Sequence, residues 1–406
     1  MKAMRVEKHI IRKSDKNYAM LAEFCHLSKN LYNFANYHIR QGYIQTGRFP
    51  NYNEINKLAK EQPSTNNDYA SMPTAQSAQQ TFRLLDKNWV SFRESHKGYR
   101  ENPDEYTGRP KMPGYLPKNG VYILILTNQN CRLRDGVIYF PKTFRGLTVK
   151  TDMEGTFQQI RIVPKNRHLV LEVVYKIDIP EILPDNGRYM GIDIGLDNLA
   201  AVASNTGMKP VVINGKGLKS VNKYYNKRKS HYQEVAQRRN KQDYSKRINQ
   251  LTIKRNCRID DTMHKASRYI VDLAVENNIN TIVIGNNKDW KRASPLSKNV
   301  NQTFVGLPHQ RMIEMIGYKA ENVGIRIALT EESYTSGTSF LDNELPVKEH
   351  YDKSRRVHRG LFRCSNGQKI NADVNAALQM IKKVSPNAYS NGVEGIGLCP
   401  VVVNVS

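Results

Sequence analysis

The fold of this chain is decided by the stretch Tyr189-Met-Gly-Ile-Asp-Ile-Gly195, an apolar run that ends in glycine. This pattern predicts a buried strand, and its only carboxylate, Asp193, would be costly to bury without a nearby cation. A second aspartate, Asp373, lies in Asn371-Ala-Asp-Val-Asn-Ala-Ala377, which is typical of the first turn of a helix. We interpret the pair as ligands of a divalent metal. The alternatives are a turn-capping role for Asp193 and a simple helix-start role for Asp373.

The overall charge indicates the substrate of such a metal site. The 406 residues include 62 Lys and Arg against 37 Asp and Glu, a net charge of +25. An excess of this size favours a partner with a phosphate backbone. Carboxylate ligands in so basic a chain predict metal-dependent cutting of nucleic acid by two Mg²⁺ ions, with Mn²⁺ as a substitute, because Mg²⁺ prefers hard oxygen ligands.

Cysteine usage and hydropathy favour an intracellular protein. The five cysteines are scattered and form no C-x-x-C pair, which fits a reducing compartment. No apolar run approaches the roughly 18 residues that span a bilayer. The opening residues, MKAMRVEKHIIRK, contain no apolar core of the signal-peptide type. We expect a cytoplasmic, nucleoid-associated bacterial protein without a membrane partner.

Periodicity divides the chain into two blocks. The first, up to residue 185, combines strands with a helical insertion, whereas residues 44–72 read as irregular. Its predicted strands are Val6–Ile11, Val121–Leu126, Val137–Phe140, Phe157–Val163 and His168–Tyr175, and its predicted helices are Asp15–Tyr43 and Thr74–Ser95.

The second block has the element order of the RNase H-like fold. In that fold, carboxylates on the first strand, on a later strand and on the last helix meet. The predicted strands are Tyr189–Asp193, Leu199–Ser204, Pro210–Ile213, Asn280–Ile284 and Ile325–Leu329, the first three forming an antiparallel meander. The predicted helical stretches are Val221–Asn277, Phe304–Val323 and Ala372–Lys383, and residues 333–370 read as irregular.

The third carboxylate has no obvious position. Gly285 stands on the strand where a glutamate would be expected, but the next strand ends in Glu331 and Glu332. Ends of adjacent strands lie close together, and the two glutamates point to opposite faces, so we expect one of them to serve. We predict Glu332, with Glu331 as the alternative. The competing interpretation is a pair of exposed acids at a strand end.

Several runs resemble the TnpB (OrfB) proteins of insertion sequences, which are relatives of the type V CRISPR nucleases. The resemblance covers nearly the whole chain. In the second half it rests on GIDIGLDNLAAV, IVIGNNKDWKR, EESYTSGTSFLDNELP and RGLFRCSNGQKINADVNAAL. In the first half, HLSKNLYNFANYH, TAQSAQQTFRLLDKNW and GRPKMPGY resemble that family's wedge and recognition regions.

The resemblance implies an RNA-guided DNA endonuclease with a RuvC domain. Asp193 and Asp373 match the family's first and last catalytic acids, and EESYTS resembles a rearranged form in which the glutamate has moved to the following strand. The implied architecture is an α+β multidomain protein. Its parts are a β-barrel-like wedge domain (1–14 and 118–185), a helical recognition domain (15–117), a RuvC domain (186–332 and 371–406) and a ribbon-like insertion (333–370).

The family's zinc ribbon is altered here. Ser339, Asp342 and Asn366 fall near the usual cysteine positions, and Cys364 is the cysteine that remains. One thiol with His350 and His358 nearby would be a poor zinc site, so we expect no structural zinc. The resemblance implies that this segment binds target nucleic acid, through Lys348, Lys353, Arg355, Arg356 and Arg359.

The implied partners are a guide RNA from the transposon end and double-stranded target DNA, bound by a monomer. The resemblance implies that Tyr52, Gln76 and Gln79 read a short motif beside the target. Ordinary helix-surface polarity is the alternative for these three. The basic helical hairpin at 216–260 is expected to follow phosphates rather than form a solvated coiled coil, through Lys227, Arg228, Arg238, Arg239, Lys254 and Arg255.

Two other functions remain open from the sequence. A non-catalytic RNA-guided DNA-binding repressor is compatible with the missing glutamate at Gly285. An RNA-independent RNase H-like transposase or nuclease is compatible with the carboxylates, although the long N-terminal block and the charge fit RNA binding better.

Overall fold

The computed structural model describes residues 2–61, 67–166, 168–195, 197–286, 308–358, 360–389 and 399–405. The chain forms two compact units, residues 2–178 and residues 179–406. None of the helices within the described ranges is both long and apolar enough to cross a membrane.

The first unit contains two antiparallel sheets. Four strands have the order β1-β7-β6-β2, and a smaller sheet has the order β3-β4-β5. Neither sheet closes into a barrel within the described residues. The bounds are β1 Lys2–Arg12, β2 Leu124–Thr127, β3 Arg132–Arg134, β4 Val137–Tyr139, β5 Thr148–Lys150, β6 Thr156–Lys165 and β7 His168–Asp178. The predicted β-rich character is confirmed, and β1 is longer than predicted because Lys2–Arg5 also pair with β7.

The helices of this unit are α1 Tyr18–Thr46, α2 Tyr52–Lys60, α3 Asp68–Ser71 and α4 Ala75–Glu101. The apolar spacing that predicts α1 and α4 is confirmed, since Leu21, Leu85 and Trp89 are buried in one core. The irregular structure predicted for 44–72 is wrong for α2 and α3. The start of α2 is fixed by a capping box in which Asn51 accepts from the Glu54 amide, and its Ile55 is buried.

The second unit is built on a six-stranded sheet with the order β12-β11-β8-β9-β10-β16. The strands β8, β9 and β10 form the predicted antiparallel meander, and β11 and β12 run parallel to β8. The bounds are β8 Tyr189–Asp193, β9 Asn198–Ser204, β10 Val211–Asn214, β11 Thr281–Gly285, β12 Arg326–Thr330 and β16 Val401–Val403. Because β8, β11 and β12 are parallel, their carboxyl ends meet at one edge of the sheet.

Helices cover both faces of this sheet. The helices are α5 Lys216–Asn240, α6 Lys246–Glu276, α7 His309–Glu321 and α8 Ala372–Val384. Met190 and Ile192 face a core with α6 and α7, whereas Ala201 and Ala203 face a second core with α8. The long helical stretch predicted at 221–277 is divided at Lys241, which has a left-handed φ of 49°. The predicted start of a helix at Phe304 lies outside the described residues.

The segment predicted to be irregular, 333–370, is irregular in its first part and folded in its second. A small antiparallel sheet is formed by β13 Arg356–His358, β14 Leu361–Arg363 and β15 Lys369–Asn371. Its buried Phe362 and Ile370 pack in the same core as α8. The segment therefore leads directly into the helix that carries Asp373.

Candidate functional site

The position of Asp193 is set by the packing of α8 against β8. A Cβ atom at Gly191 would overlap the carbonyl oxygen of Ala377, so glycine is what lets the helix approach the strand. Side chains two residues apart on a strand share a face, so Asp193 lies on the face that α8 covers. Asp373 lies one helical turn before Ala377. The two aspartates thus come from neighbouring parts of two elements in direct contact.

Glu332 occupies the space above Gly285. Gly285 ends β11 and pairs with Thr330 of β12, so Glu332 follows two residues after the end of the neighbouring strand. A Cβ at Gly285 would lie 2.5 Å from Glu332 Oε1 and 2.7 Å from Met380 Cε. The missing side chain of β11 therefore leaves the room that the Glu332 side chain fills. Asp193, Glu332 and Asp373 are called the carboxylate edge below.

Electrostatics indicate that Asp373 and Glu332 both act on Asp193. Burial raises the pKa of Asp193 well above its ordinary value, and the charges of Asp373 and Glu332 raise it further, while Arg356 lowers it. Burial also raises the pKa of Glu332 to about 7. Both shifts disfavour the ionised carboxylates, and a bound cation would reverse that preference.

Asp373 is held by groups on both of its oxygens. It lies in the first turn of α8, where Asn371 caps the helix by accepting from the Asp373 and Val374 amides. Asp373 Oδ2 accepts from Asn198 Nδ2 at 2.6 Å, and Oδ1 is 3.7 Å from Arg356 Nη2. Nothing in the sequence predicted the contact of Asn198 with Asp373, and Arg356 was expected to bind nucleic acid only.

The structure separates Glu331 from Glu332. Glu331 is exposed, and its carbonyl oxygen accepts from Lys383 Nζ at 3.0 Å. Lys383 Nζ also donates to Ser333 Oγ at 2.9 Å. Lys383, at the end of α8, therefore holds the turn on both sides of Glu332. Nothing in the sequence pattern singled out this lysine.

The donor set of the carboxylate edge consists of oxygens, the ligand type that Mg²⁺ and Mn²⁺ prefer. Over the described ranges, no three His, Cys, Asp or Glu side chains lie close enough together to hold a metal ion as they stand. The fit to Mg²⁺ therefore rests on donor chemistry and on the raised carboxyl pKa values. Asp197, which directly precedes β9, is a turn residue whose carboxylate pairs with Lys219 Nζ at 2.5 Å.

The basic helices α5 and α6, called the basic hairpin below, present their cations in two ways. Lys227, Arg239 and Lys254 are exposed, as is Arg238, which pairs with Glu234. Arg228 bonds to Tyr232 on its own helix. Arg255 is half-buried and donates to Asn222 Oδ1 at 2.8 Å, and burial lowers its pKa. Arg255 therefore ties α6 to α5.

The three residues expected to read a flanking motif lie in the first unit. Tyr52 begins α2, and the Arg83 guanidinium lies 5.0 Å from its ring centroid. The Gln76 amide is engaged with Gln129, and its oxygen accepts from Thr127 Oγ1 at 2.7 Å. Gln79 is half-buried on α4.

A polar cluster around Arg355 organises the segment where zinc was not expected. The Arg355 guanidinium pairs with Asp342 and, at 2.7 Å, with Glu344. Asp342 also accepts from the Ser365 amide at 2.9 Å. The Arg355 side chain is only 16% exposed, so its charge is used within the segment. Lys348 and Lys353 are exposed, and Arg359 lies outside the described residues.

Comparison with known proteins connects both parts of this site to one group of proteins. Residues 172–291 match the family described as OrfB_IS605, probable transposase, and residues 309–380 match the Cas12f1-like TNB domain. These two regions contain Asp193, Glu332 and Asp373.

Two relatives carry the names of CRISPR-associated or TnpB-like proteins. The chain is 25% identical over 331 residues to the CRISPR-associated endodeoxyribonuclease Cas12f2 of a Micrarchaeota archaeon, covering 75% of this chain and 54% of the relative. It is 24% identical to the TnpB-like protein ORF457 of Acidianus two-tailed virus, covering 54% of this chain and 46% of the relative. The chain thus spans about half the length of these two relatives.

Among solved structures, a Cas12f1–sgRNA–target DNA complex is similar with a TM-score of 0.37 and 16% identity, covering 93% of this chain and 98% of that one. The mini-RNA-guided endonuclease CRISPR-Cas_phi3 is similar with a TM-score of 0.49 and 9% identity, covering 98% and 94%. The family matches and the named relatives agree that the chain is similar to the TnpB-like and Cas12f proteins.

Proposed function

We propose that this protein is an RNA-guided DNA endonuclease of a transposon. It would cut target DNA beside a short flanking motif by metal-dependent phosphodiester hydrolysis in a RuvC domain of the RNase H-like fold. The observation that carries the proposal is that Asp193 lies within electrostatic reach of both Asp373 and Glu332 at one sheet edge, with Glu332 lying over Gly285. The net charge of +25 and the relatives named as endodeoxyribonucleases support it.

In this proposal, the three carboxylates hold Mg²⁺. Bound metal would supply an activated water and stabilise the leaving oxygen. The chain's own residues set the geometry: Asn198 orients Asp373, and Lys383 fixes the turn that carries Glu332. Arg356, close to Asp373, adds a positive charge that lowers the pKa of Asp193 against the effect of burial.

The proposed division of labour follows from the charge distribution. A guide RNA would read the target by base pairing, while the basic hairpin and the segment 333–370 would bind backbones. Between residues 211 and 260 there are 14 Lys and Arg against three acids. We propose further that Tyr52, Gln76 and Gln79 lie near the flanking motif and that the protein acts as a monomer on its RNA. The domain bounds given from the sequence are part of the same proposal.

The test is to express the protein with its native flanking DNA and sequence the RNA that co-purifies. The complex is then incubated with a matching plasmid in Mg²⁺, beside the same complex in EDTA and a complex of the Asp193→Ala variant. A defined RNA and a double-strand break that EDTA and Asp193→Ala both abolish are the expected results. Tight target binding without any break would favour the repressor, and cutting that persists after RNA removal would favour an RNA-independent nuclease.

A further inference from the structure

A cavity of about 550 Å³ lies in the first unit, far along the chain from the carboxylate edge. Its walls are the C-terminal parts of α1 and α4 and the loop at 109–112. Its volume is within the roughly 300–1,000 Å³ of small-molecule sites. The lining combines aromatic rings with cations: Tyr43, Phe49, Phe92, Arg93, Lys97, Arg100 and Arg109.

The aromatic rings of the cavity form a platform that is supported by the protein core. Tyr43 stacks on Phe49 with ring centroids 4.2 Å apart and planes inclined by 6°. Phe49 in turn packs against Trp89 at 5.2 Å, and Trp89 is buried. Tyr43 remains 37% exposed. A flat ligand would therefore meet a ring whose position is already set, at little cost in conformational entropy.

The cationic part is one face of α4. Arg93, Lys97 and Arg100 are spaced by four and three residues, so they lie on the same side of the helix, and all three are exposed. Arg109 adds a fourth cation from the loop, against a single acid, Glu101, in the lining. Within the described residues, no carboxylate forms an ion pair with any of these four cations.

The two parts together select one ligand chemistry. A simple anion would use the cations but not the platform, and an apolar ligand would use the platform but not four cations. A base on an aromatic ring with flanking phosphates on Lys and Arg uses both. Arg93 already lies 5.7 Å from the Phe49 ring centroid, so the two parts are adjacent.

We propose that this cavity binds an unpaired nucleotide of a single strand. The base packs against Tyr43 and Phe49, and the neighbouring phosphates contact Arg93, Lys97 and Arg100. The identity of the strand as RNA rests on the proposed function, whereas the binding itself does not require cleavage.

The test measures binding of fluorescein-labelled rU10, with dT10 as a second arm, to the full chain freed of RNA, across a salt series. Arg93→Ala should weaken binding and reduce the slope of log K against log salt by about 0.7, the value for one phosphate contact on a single strand. Lys87→Ala is the matched control. It removes an exposed cation that lies about 120° around α4 from Arg93 and outside the cavity, and it should leave the slope unchanged.

The aromatic platform is tested separately. Tyr43→Leu should weaken binding about tenfold at every salt concentration without changing the slope, because stacking is not ionic. Tyr43→Phe keeps the ring and should bind like the unchanged protein, and thermal unfolding checks that each variant is folded. Photo-crosslinking with one 4-thiouridine in rU10 should modify Tyr43 or Phe49.

Two results would overturn the proposal: equal effects of Arg93→Ala and Lys87→Ala, or equal binding by Tyr43→Leu and Tyr43→Phe. Stronger effects on rU10 than on dT10 identify RNA as the source of the strand, and the reverse identifies DNA. The binding test and the cleavage test can fail independently. A protein that never cuts a guided target can still show these binding effects.

Discussion

The carboxylate edge and the basic hairpin are built in opposite ways. At the edge, three acids are placed by strand register and by two glycines, Gly191 and Gly285, whose missing side chains leave room for α8 and for Glu332. Along α5 and α6, the charge is spread over many exposed cations, such as Lys227 and Arg239.

This difference teaches where a single substitution matters. The three carboxylates of the edge act together, and no neighbouring group can replace one of them. Loss of any one should therefore remove nearly all of the activity. One of many exposed cations contributes a small share of a summed electrostatic attraction. Effects at the edge should therefore be large and insensitive to salt, and those along the hairpin small and salt-dependent.

The largest effect is expected from Asp193→Ala. Cleavage of a guided plasmid should fall by several orders of magnitude, because the carboxylate that faces both Asp373 and Glu332 is gone. DNA binding by the RNA complex should stay within about twofold, since backbone affinity uses other groups. Gel assays of cleavage and filter binding measure the two. The control is Asp197→Ala, a turn carboxylate paired with Lys219, which should still cut.

Glu332→Gln compared with Glu331→Gln sharpens the assignment within the edge. Glu332→Gln should nearly abolish cleavage, because it removes the charge that lies over Gly285. Glu331→Gln should cut close to normally, because that side chain is exposed and the contact with Lys383 uses the Glu331 backbone carbonyl, which the substitution keeps. Single-turnover cleavage rates decide between them. Equal, full activity in both variants would remove Glu332 from the site.

A smaller effect is expected from Gly285→Ala, which adds one methyl group. The new Cβ would lie within 2.7 Å of Glu332 and Met380 atoms, so Glu332 must shift. Overpacking of this kind costs about 1–3 kcal/mol, measured here as thermal stability together with slower cleavage. Gly217→Ala is the control, because a Cβ there meets nothing within 4 Å. The double variant with Glu332→Gln should be no slower than Glu332→Gln alone.

The raised pKa of Glu332 predicts a pH dependence of stability in the metal-free protein. Folding raises this pKa from its ordinary value of 4.5 to about 7, so the folded state favours the protonated acid. The corresponding stability is fully present below pH 4.5 and is lost as the pH rises through 7, by at most about 3 kcal/mol. Urea unfolding in EDTA from pH 5 to 8 should show this loss, and Glu332→Gln should flatten the curve. If the pH dependence of stability were the same in Glu332→Gln as in the unchanged protein, the burial of this carboxyl group would be contradicted.

The sequence predicted the parts of this molecule that follow from local patterns. Alternation along strands separated Glu331 from Glu332, and the tight turns between the first three strands of the second block predicted the meander. The contacts of Asn198 and Lys383 were missed, because nothing near either residue shows which distant group it will meet.

Arg355 is a further example of the same limit. The family resemblance implied that it binds nucleic acid, yet it pairs with Asp342 and Glu344 in the folded segment. Such pairings depend on the path of an irregular segment in three dimensions. That path produces no periodic pattern in the sequence from which it could be predicted. The short strands β3 and β5 were not recognised for the same reason, since three residues are too few to establish alternation.

The smallest effect is expected along the basic hairpin, from Arg239→Ala and Lys254→Ala. Each should weaken DNA binding a few-fold at low salt and lower the slope of log K against log salt by about 0.9, the value for one phosphate on duplex DNA. Arg255→Ala is the matched contrast in the same hairpin. Because Arg255 is bonded to Asn222 and lies 5.3 Å from the Tyr225 ring centroid, its loss should lower the unfolding temperature and change the slope little. If Arg255→Ala instead changed the slope as Arg239→Ala does, half-buried and exposed cations would be equivalent here. The distinction between a charge held in one specific contact and a charge that adds to a general attraction would then not apply within the hairpin.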